Sequence, residues 1–520
     1  MIDKLDLPLS QDPYSSPFIS LGEEILDNFY LEFAQSQTSK AKFYQVGRQG
    51  LHLLYTGSVG DACRGIFTTS SKRTFAANGV KIWEYTNQGQ TRTLAGTLDT
   101  AAGTGPVIFR ENGYQLFIVS GGYGYILDLT SGDFSRILDE FFPGVDSPSA
   151  GPTHACMVDR YFLANSQLTD KYYWSSPLYI PFAFDPLQPS VKNLWWGTYF
   201  GEKIGNADNI IAMVEMATNL VCVMGGKSTE FHRDTGNTNS QLFERIDVAA
   251  LSIGCAAAFS LVKSENAVYW LGRDEVGKLG MFAVDTSFQP ARISKRGIET
   301  RIQTYERIDD CVAFPFSIDG HDFIAWNFPS GSSVDGGPVT GVTWIYDMST
   351  AKWCKYTRWD AASGTSSRWP AQFATANWGM LILGDSTTDA LYWFDNEKYE
   401  DDKPDGSGFY YHNRQLTSPN SYFNGKLTRF LAEQINLQQG TANRNGDGSA
   451  PVFALADSDD GGFTFGYESF ESMGLTGEYS HQTRWTRRGS TRNRVRRYRC
   501  SERCRVVVIG ETIEFEVFQR

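Results

Sequence analysis

The sequence predicts an all-β fold, a β-propeller of six or seven blades over residues 56–399 followed by a C-terminal β-sandwich-like module over residues 409–520. Three observations predict it. Helical periodicity is nearly absent, and in its place stand brief runs of β-branched and aromatic residues broken by Gly, Asn, Asp and Ser, the pattern of strands and tight turns. These runs recur in a loose unit of strand, glycine turn, strand, polar turn and strand at a spacing of about 40–60 residues, the range of propeller blades. Composition then changes after Tyr399. The 520 residues are 41% hydrophobic and 14% aromatic against 20% charged, ample material for a packed core and unlike a disordered chain.

In chain order, residues 1–55 form an N-terminal segment in which only residues 21–30 could make a short helix. Met1-Ile-Asp-Lys is no cationic stretch leading into an apolar run, so no signal peptide is expected. The longest low-charge apolar stretch, residues 249–262, is well short of the about 20 residues that span a bilayer, and no membrane span is expected. The first blade unit lies near residues 75–85. Clear later copies are Leu116-Phe-Ile-Val-Ser-Gly-Gly-Tyr-Gly-Tyr-Ile-Leu-Asp, Leu220-Val-Cys-Val-Met-Gly-Gly and residues 381–395. A blade has two apolar faces and cannot bury both alone, so blades stack radially and the ring hides the edges. Stacked β-sandwiches would give similar strand runs. Glu400-Asp-Asp-Lys-Pro-Asp-Gly-Ser-Gly, residues 400–408, reads as a linker. The remaining residues are enough for a module with its own core. The eight cysteines are scattered, as expected for free, mostly buried thiols in a chain made in a reducing cytoplasm.

Among the motifs, Ser458-Asp-Asp-Gly-Gly-Phe-Thr-Phe fits an Asp box, a hairpin turn in which Asp460 accepts backbone N–H groups. Ser458, Gly462, Thr464 and Phe465 occupy its other positions. Gly272-Arg-Asp-Glu-Val-Gly-Lys-Leu resembles a phosphate loop, but Leu279 stands where Ser or Thr would hold magnesium, and the segment lies between strands. The six histidines are isolated, Cys500 and Cys504 lack a second pair, and no spacing nominates an acid–base pair or a nucleophile, so no metal, cofactor or catalytic residue is assigned.

The strongest electrostatic feature lies between Arg484 and Arg505, with ten Arg and one Glu in a chain of net charge −12. That net charge argues against a protein that coats nucleic acid over its whole surface. The arginine segregation is read as an interface with a second copy or a partner, with Arg484, Arg487, Arg488, Arg492, Arg494, Arg496 and Arg497 as its candidate residues. DNA contact and a solvated strand face are the alternatives.

Ser458-Asp-Asp-Gly-Gly-Phe-Thr-Phe-Gly, Gly474-Leu-Thr-Gly-Glu-Tyr-Ser and Arg484-Trp-Thr-Arg-Arg-Gly-Ser-Thr-Arg-Asn-Arg-Val-Arg-Arg-Tyr together resemble the closing module of packaged-DNA stabilisation proteins. These are the tail-hub or nozzle subunits of short-tailed bacteriophages. Cys63-Arg-Gly-Ile-Phe, residues 112–125 and residues 301–314 are similar to that family as well. The resemblance implies a virion tail protein, assembled in the host cytoplasm as a ring of six copies at the distal end of a portal and adaptor tube. Such a ring retains packaged double-stranded DNA and lets it pass at ejection without reading its sequence. It also implies that a needle, fibre or tailspike docks below, and that there are no catalytic residues and no cofactor. Residues 1–55, which the resemblance does not cover, are expected to contact the adaptor or a neighbour. The rival readings are a glycan-binding or sialidase-like propeller, for which several Asp boxes rather than one are expected, and a scaffold propeller of a host cell.

Overall fold

A computed structural model describes residues 3–7, 9–11, 13, 25–34, 41–58, 60–103, 105–176, 195–237, 242–331 and 341–518. The short runs of β-branched and aromatic residues form antiparallel sheets that follow one another along the chain. Six successive sheets cover residues 63–97, 108–136, 155–202, 210–245, 253–292 and 312–360. A seventh joins Ala371–Asn377, Met380–Asp385 and Leu391–Asp395 to Gly50–Tyr55 as its fourth strand. The innermost strands touch in turn around the ring, and Ala371–Asn377 meets Cys63–Thr68 to close it. The fold is therefore a β-propeller with six blades of consecutive strands and one composite blade that clasps the two ends of the ring.

Alternation along each strand explains the packing, because successive side chains point to opposite faces. In the strand Gln115–Ser120, Leu116 and Ile118 pack on Phe75 and Ile82 of the preceding blade, while Phe117 and Val119 pack on Phe162 and Trp195 of the following one. The same division recurs around the ring. At the closure, Ile382 and Leu391 pack on Cys63, Ala76 and Tyr85. Gly50 starts the clasping strand, and a side chain there would strike the Glu400 carbonyl, so the strand can enter only through glycine.

The C-terminal module is a two-sheet sandwich, but its strands come from both ends of the chain. One sheet orders Phe29–Phe33, Phe43–Gly47, Val507–Val517, Thr428–Leu437 and Thr483–Thr486, with Asp3–Leu7 also on Val507–Val517. The other orders Leu26–Asp27, Arg414–Thr417, Asn493–Cys500, Val452–Ser458 and Ser469–Ser472. Leu26–Asp27 also pairs, in parallel, with Lys352–Asp360 of the sixth blade, so one sheet runs from the propeller into the sandwich.

Three expectations are corrected here. Residues 26–33 are strands rather than a helix, because their alternating apolar residues complete the sandwich; residues 21–24 of that expectation lie outside the described residues. The described strands of residues 1–55 do not form a unit of their own, since they belong to the sandwich and to the composite blade. Residues 400–408 are not a linker. Glu400–Asp402 pairs with Phe409–Tyr411, and Asp401 is fully buried.

Asp401 explains why so polar a segment is held inside. Its carboxylate takes Arg48 at 2.6 and 3.0 Å, His412 Nε2 at 2.9 Å and the Leu51 N–H at 3.0 Å. Arg48 also donates to the Thr357 carbonyl and, at 2.8 Å, to Asn28. Burial alone would raise the Asp401 carboxyl, but Arg48 and His412 outweigh it and hold it far below the usual carboxylate range. Burial and Arg48 push His412 down to about 3, so its ring is neutral. A second tie sets His321 between Asp347 at 2.9 Å and Glu32 at 2.8 Å, and the hydrogen bond to Asp347 leads in raising it to about 9. Charged groups thus join blade six, the clasp and the sandwich.

Asp401→Ala would leave Arg48 buried without its counter-ion, at an expected cost of about 3–5 kcal/mol. Scanning calorimetry should show one unfolding transition for the wild-type chain, shifted down as a unit in the variant. Two separate transitions in the wild-type protein would show that propeller and sandwich are not welded.

Candidate interface and the propeller axis

The arginine segment runs along Asn493–Cys500, a strand paired on one side with Arg414–Thr417 and on the other with Val452–Ser458. Period-two alternation sends Arg494, Arg496, Tyr498 and Cys500 into the sandwich, where all four are buried. The facing sheet supplies the anions. Glu433, on Thr428–Leu437, lies 3.4 Å from Arg494 and 3.9 Å from Arg496. Glu511, on Val507–Val517, pairs with Arg496 and accepts the Tyr498 hydroxyl at 2.8 Å. Arg488 bridges Glu433 at 3.0 Å and Asp457 at 2.6 Å, and Arg494 also holds Asp459 at 2.9 Å.

The seven arginines named from the sequence therefore divide. Arg494 and Arg496 are internal, because a strand in a sandwich must turn every second side chain inward and both find carboxylates there; Arg488, in the turn after Thr483–Thr486, is largely covered by its bridge to Glu433 and Asp457. They are not surface interface residues. Arg484 is exposed and pairs with Glu514 at 2.5 Å, Arg487 is exposed with φ 59°, and Arg492 is exposed and donates to the Gly425 carbonyl at 3.1 Å. Arg497 lies over the Phe465 ring at 4.2 Å. Arg499 and Arg503 are matched to Glu468 and Glu400, whereas Arg505 is exposed. The charge left for an outside partner is much smaller than the count of arginines suggests.

The Asp box forms as its spacing requires. Asp460 accepts the N–H groups of Phe463 at 3.0 Å and Thr464 at 3.1 Å and the Thr464 hydroxyl at 2.6 Å, while Ser458 donates to it at 2.6 Å. Desolvation raises the Asp460 carboxyl, but the hydroxyls of Ser458 and Thr464 and the N–H groups of Thr464 and Phe463 together outweigh it and hold it down to about 2. Gly461 and Gly462 take positive φ, Gly462 donates to the Ser458 hydroxyl, and Phe465 packs under Arg497. Ser458, Asp460, Gly462 and Thr464 all serve to hold the turn.

At the inner strands of the ring, Ile108, Met213, Phe259, Leu261, Val312 and Phe373 line a cavity of about 60 Å³ together with Arg110 and His154. Arg110 pairs with Glu215 at 3.0 Å, and buried His154 is pushed by desolvation to about 4 and held by Thr153 and the Ala258 carbonyl. Gly272 lies within the strand Ala267–Asp274, which a tight turn joins to Leu279–Val284, so the phosphate-loop likeness ends in a hairpin. Among the described residues no group of three or more His, Cys, Asp or Glu could hold a metal ion.

A family model described as "Bacteriophage P22 Gp10, beta-propeller" matches residues 19–399. The chain belongs to that family. Membership carries the coarse functional class, a phage structural protein. No curated protein matches the chain. Among solved structures, virginiamycin B lyase from Staphylococcus aureus is similar at 8% identity and TM-score 0.39, covering 64% of this chain and 94% of that one. The N-terminal domain of Nup159 aligns at 10% identity and TM-score 0.36 over 71% and 99% of the two chains. The computationally designed Ika8 protein does so at 11% and 0.34 over 66% and 100%. Similarities this distant carry no functional argument for a member of the P22 Gp10 propeller family.

The carboxylates Glu433 and Glu511 were missed by sequence reading because they lie on strands remote from the arginines. The usable signal was the Arg-x-Arg-x-Tyr alternation of 494–498, which in a sandwich places half of those charges inside. Burial lifts the Glu433 carboxyl to about 7 against the pull of Arg496 and Arg494, and lifts Glu511 as well. A carboxyl raised on folding binds its proton more tightly in the native state, so its contribution to stability is full below about pH 4.5 and is lost as pH rises through 7. Wild-type protein should lose about 3 kcal/mol relative to Glu433→Gln between pH 5 and 8, measured by denaturant unfolding. Parallel pH profiles for the two proteins would disprove the assignment.

Proposed function

We propose that the chain is a tail-hub or nozzle subunit. Copies assemble into a ring, six in number by resemblance to the family, that closes the distal end of a short phage tail below a portal and adaptor complex. The ring retains packaged DNA and forms part of the conduit through which the genome leaves, with a needle, fibre or tailspike as the partner below. No reaction is catalysed in this reading.

The observation that supports it best, beside family membership, is how little space the inner strands of the ring enclose: the cavity that they line is about 60 Å³, small beside a duplex whose major groove alone is about 12 Å wide. In this reading the conduit runs between copies rather than through the propeller of one chain. The charge balance is also consistent with passage of a polyanion. The chain carries −12 overall, and its arginines are largely neutralised by its own carboxylates, so few are free to grip phosphates and slow the DNA.

Electron microscopy of the purified chain, alone and with a portal–adaptor complex, should show rings that cap the complex. A strictly monomeric particle that ignores the complex would overturn the reading. The exposed arginines give a sharper test. Replacing Arg484, Arg487, Arg492 and Arg505 together by Gln should leave the thermal midpoint within about 2 °C, because surface changes cost little, yet lower the yield of rings. Unchanged rings on particles that leak DNA would assign those arginines to the genome instead.

A further inference from the structure

A groove of about 850 Å³ lies in the sandwich where Asp3–Leu7, Phe43–Gly47, the end of Thr428–Leu437 and residues 479–482 meet. Its wall mixes apolar side chains with six carboxamides: Gln11, Gln45, Gln434, Asn436, Gln439 and Gln482. Gln434 already donates to Asn436 at 2.9 Å and Asn436 to Thr512 at 3.0 Å, and the lone pairs and N–H groups that these bonds leave suit a ligand that offers both donors and acceptors. Of the charged groups in the lining, Lys4 faces Glu514 at 3.8 Å, Asp6 accepts the Thr512 hydroxyl and Glu511 pairs with Arg496.

Two further observations point to a ligand. Gln45 is 3% exposed; its Nε2 donates to the Ser10 carbonyl at 3.3 Å, but its Oε1 has no hydrogen-bond partner among the described residues, and neither has the buried Oε1 of Gln439. Buried acceptors left open are unfavourable unless something supplies a donor. Beside them Tyr479, 78% exposed, stands against Gly440, where φ is 77° and any side chain would strike the ring. An exposed ring held at the edge of an amide-lined groove is a stacking surface with hydrogen-bonding groups around it.

We propose that this groove binds a neutral oligosaccharide, with Tyr479 stacking on a sugar face and Gln45, Gln434, Asn436 and Gln439 meeting its hydroxyls. Hydroxyls supply the donors that the open amide oxygens lack. An added peptide strand is the competing occupant, since Asp3–Leu7 at the rim is paired on one side alone among the described residues, and the test includes it.

Binding by a single full-length chain tests this independently of ring assembly. The purified protein is applied to an array of short neutral glucans, mannans and galactans, with heparin fragments, a short DNA duplex and unstructured peptides as controls, and the strongest neutral binder is titrated calorimetrically. At least one neutral sugar should bind. Tyr479→Ala, at an exposed position, and Gln434→Ala, at a half-buried one, should each weaken it by about tenfold while thermal midpoints stay within a few degrees. Absence of any neutral binder, stronger binding of a control, or affinity unchanged in both variants would overturn the proposal.

Discussion

Each blade is a sheet with two apolar faces, and a face left in water would forfeit about 25 cal/mol for every Å² exposed. That constraint organises the molecule. Each of the seven sheets lends one face to the blade before it and the other to the blade after it, so no sheet is stable without both neighbours. The ring must then close, and closure falls to Gly50–Tyr55, a strand far in sequence from the three that it completes. Because the clasp comes from the N-terminal part of the chain, that part is drawn across the propeller and on into the sandwich.

The sandwich inherits its construction from this crossing. Strands from residues 3–47 lie beside strands from residues 414–517, and the joint is tied by charge rather than by apolar contact alone. Arg48, Asp401 and His412 form one buried knot, and Glu32, His321 and Asp347 form another. Inside the sandwich, Arg494 and Arg496 from one sheet face Glu433 and Glu511 from the other, and Arg488, in the turn after Thr483–Thr486, joins Glu433 to Asp457. Buried ions add little net stability over well-packed apolar groups, but once present each is costly to leave alone. They therefore hold one strand register and one relation of sandwich to propeller.

Much of the propeller was legible because strand alternation and the spacing of its units are local properties. The Asp box was legible for the same reason, since Ser458, Asp460 and Thr464 bond one another within seven residues. The misreadings share a cause. Residues 400–408 look like a linker because Asp and Glu in a Pro/Gly-bearing stretch are usually solvated, yet Asp401 is buried by Arg48, more than 350 positions away in the chain. Residues 21–30 could take helical spacing, but the described part pairs with strands at both ends of the chain. The arginines from 484 to 505 read as a surface patch because their carboxylate partners are invisible from that segment.

What the sequence by itself determined is the architecture: β-branched and aromatic alternation, glycine turns and repeat spacing dictate stacked sheets. What only the tertiary structure decided is which charges face outward, which segment clasps the ring, and which side chains meet at its centre. Those outcomes depend on pairings across hundreds of residues, where burial converts a solvated charge into a structural tie, and periodicity carries no record of which distant partner a side chain will meet.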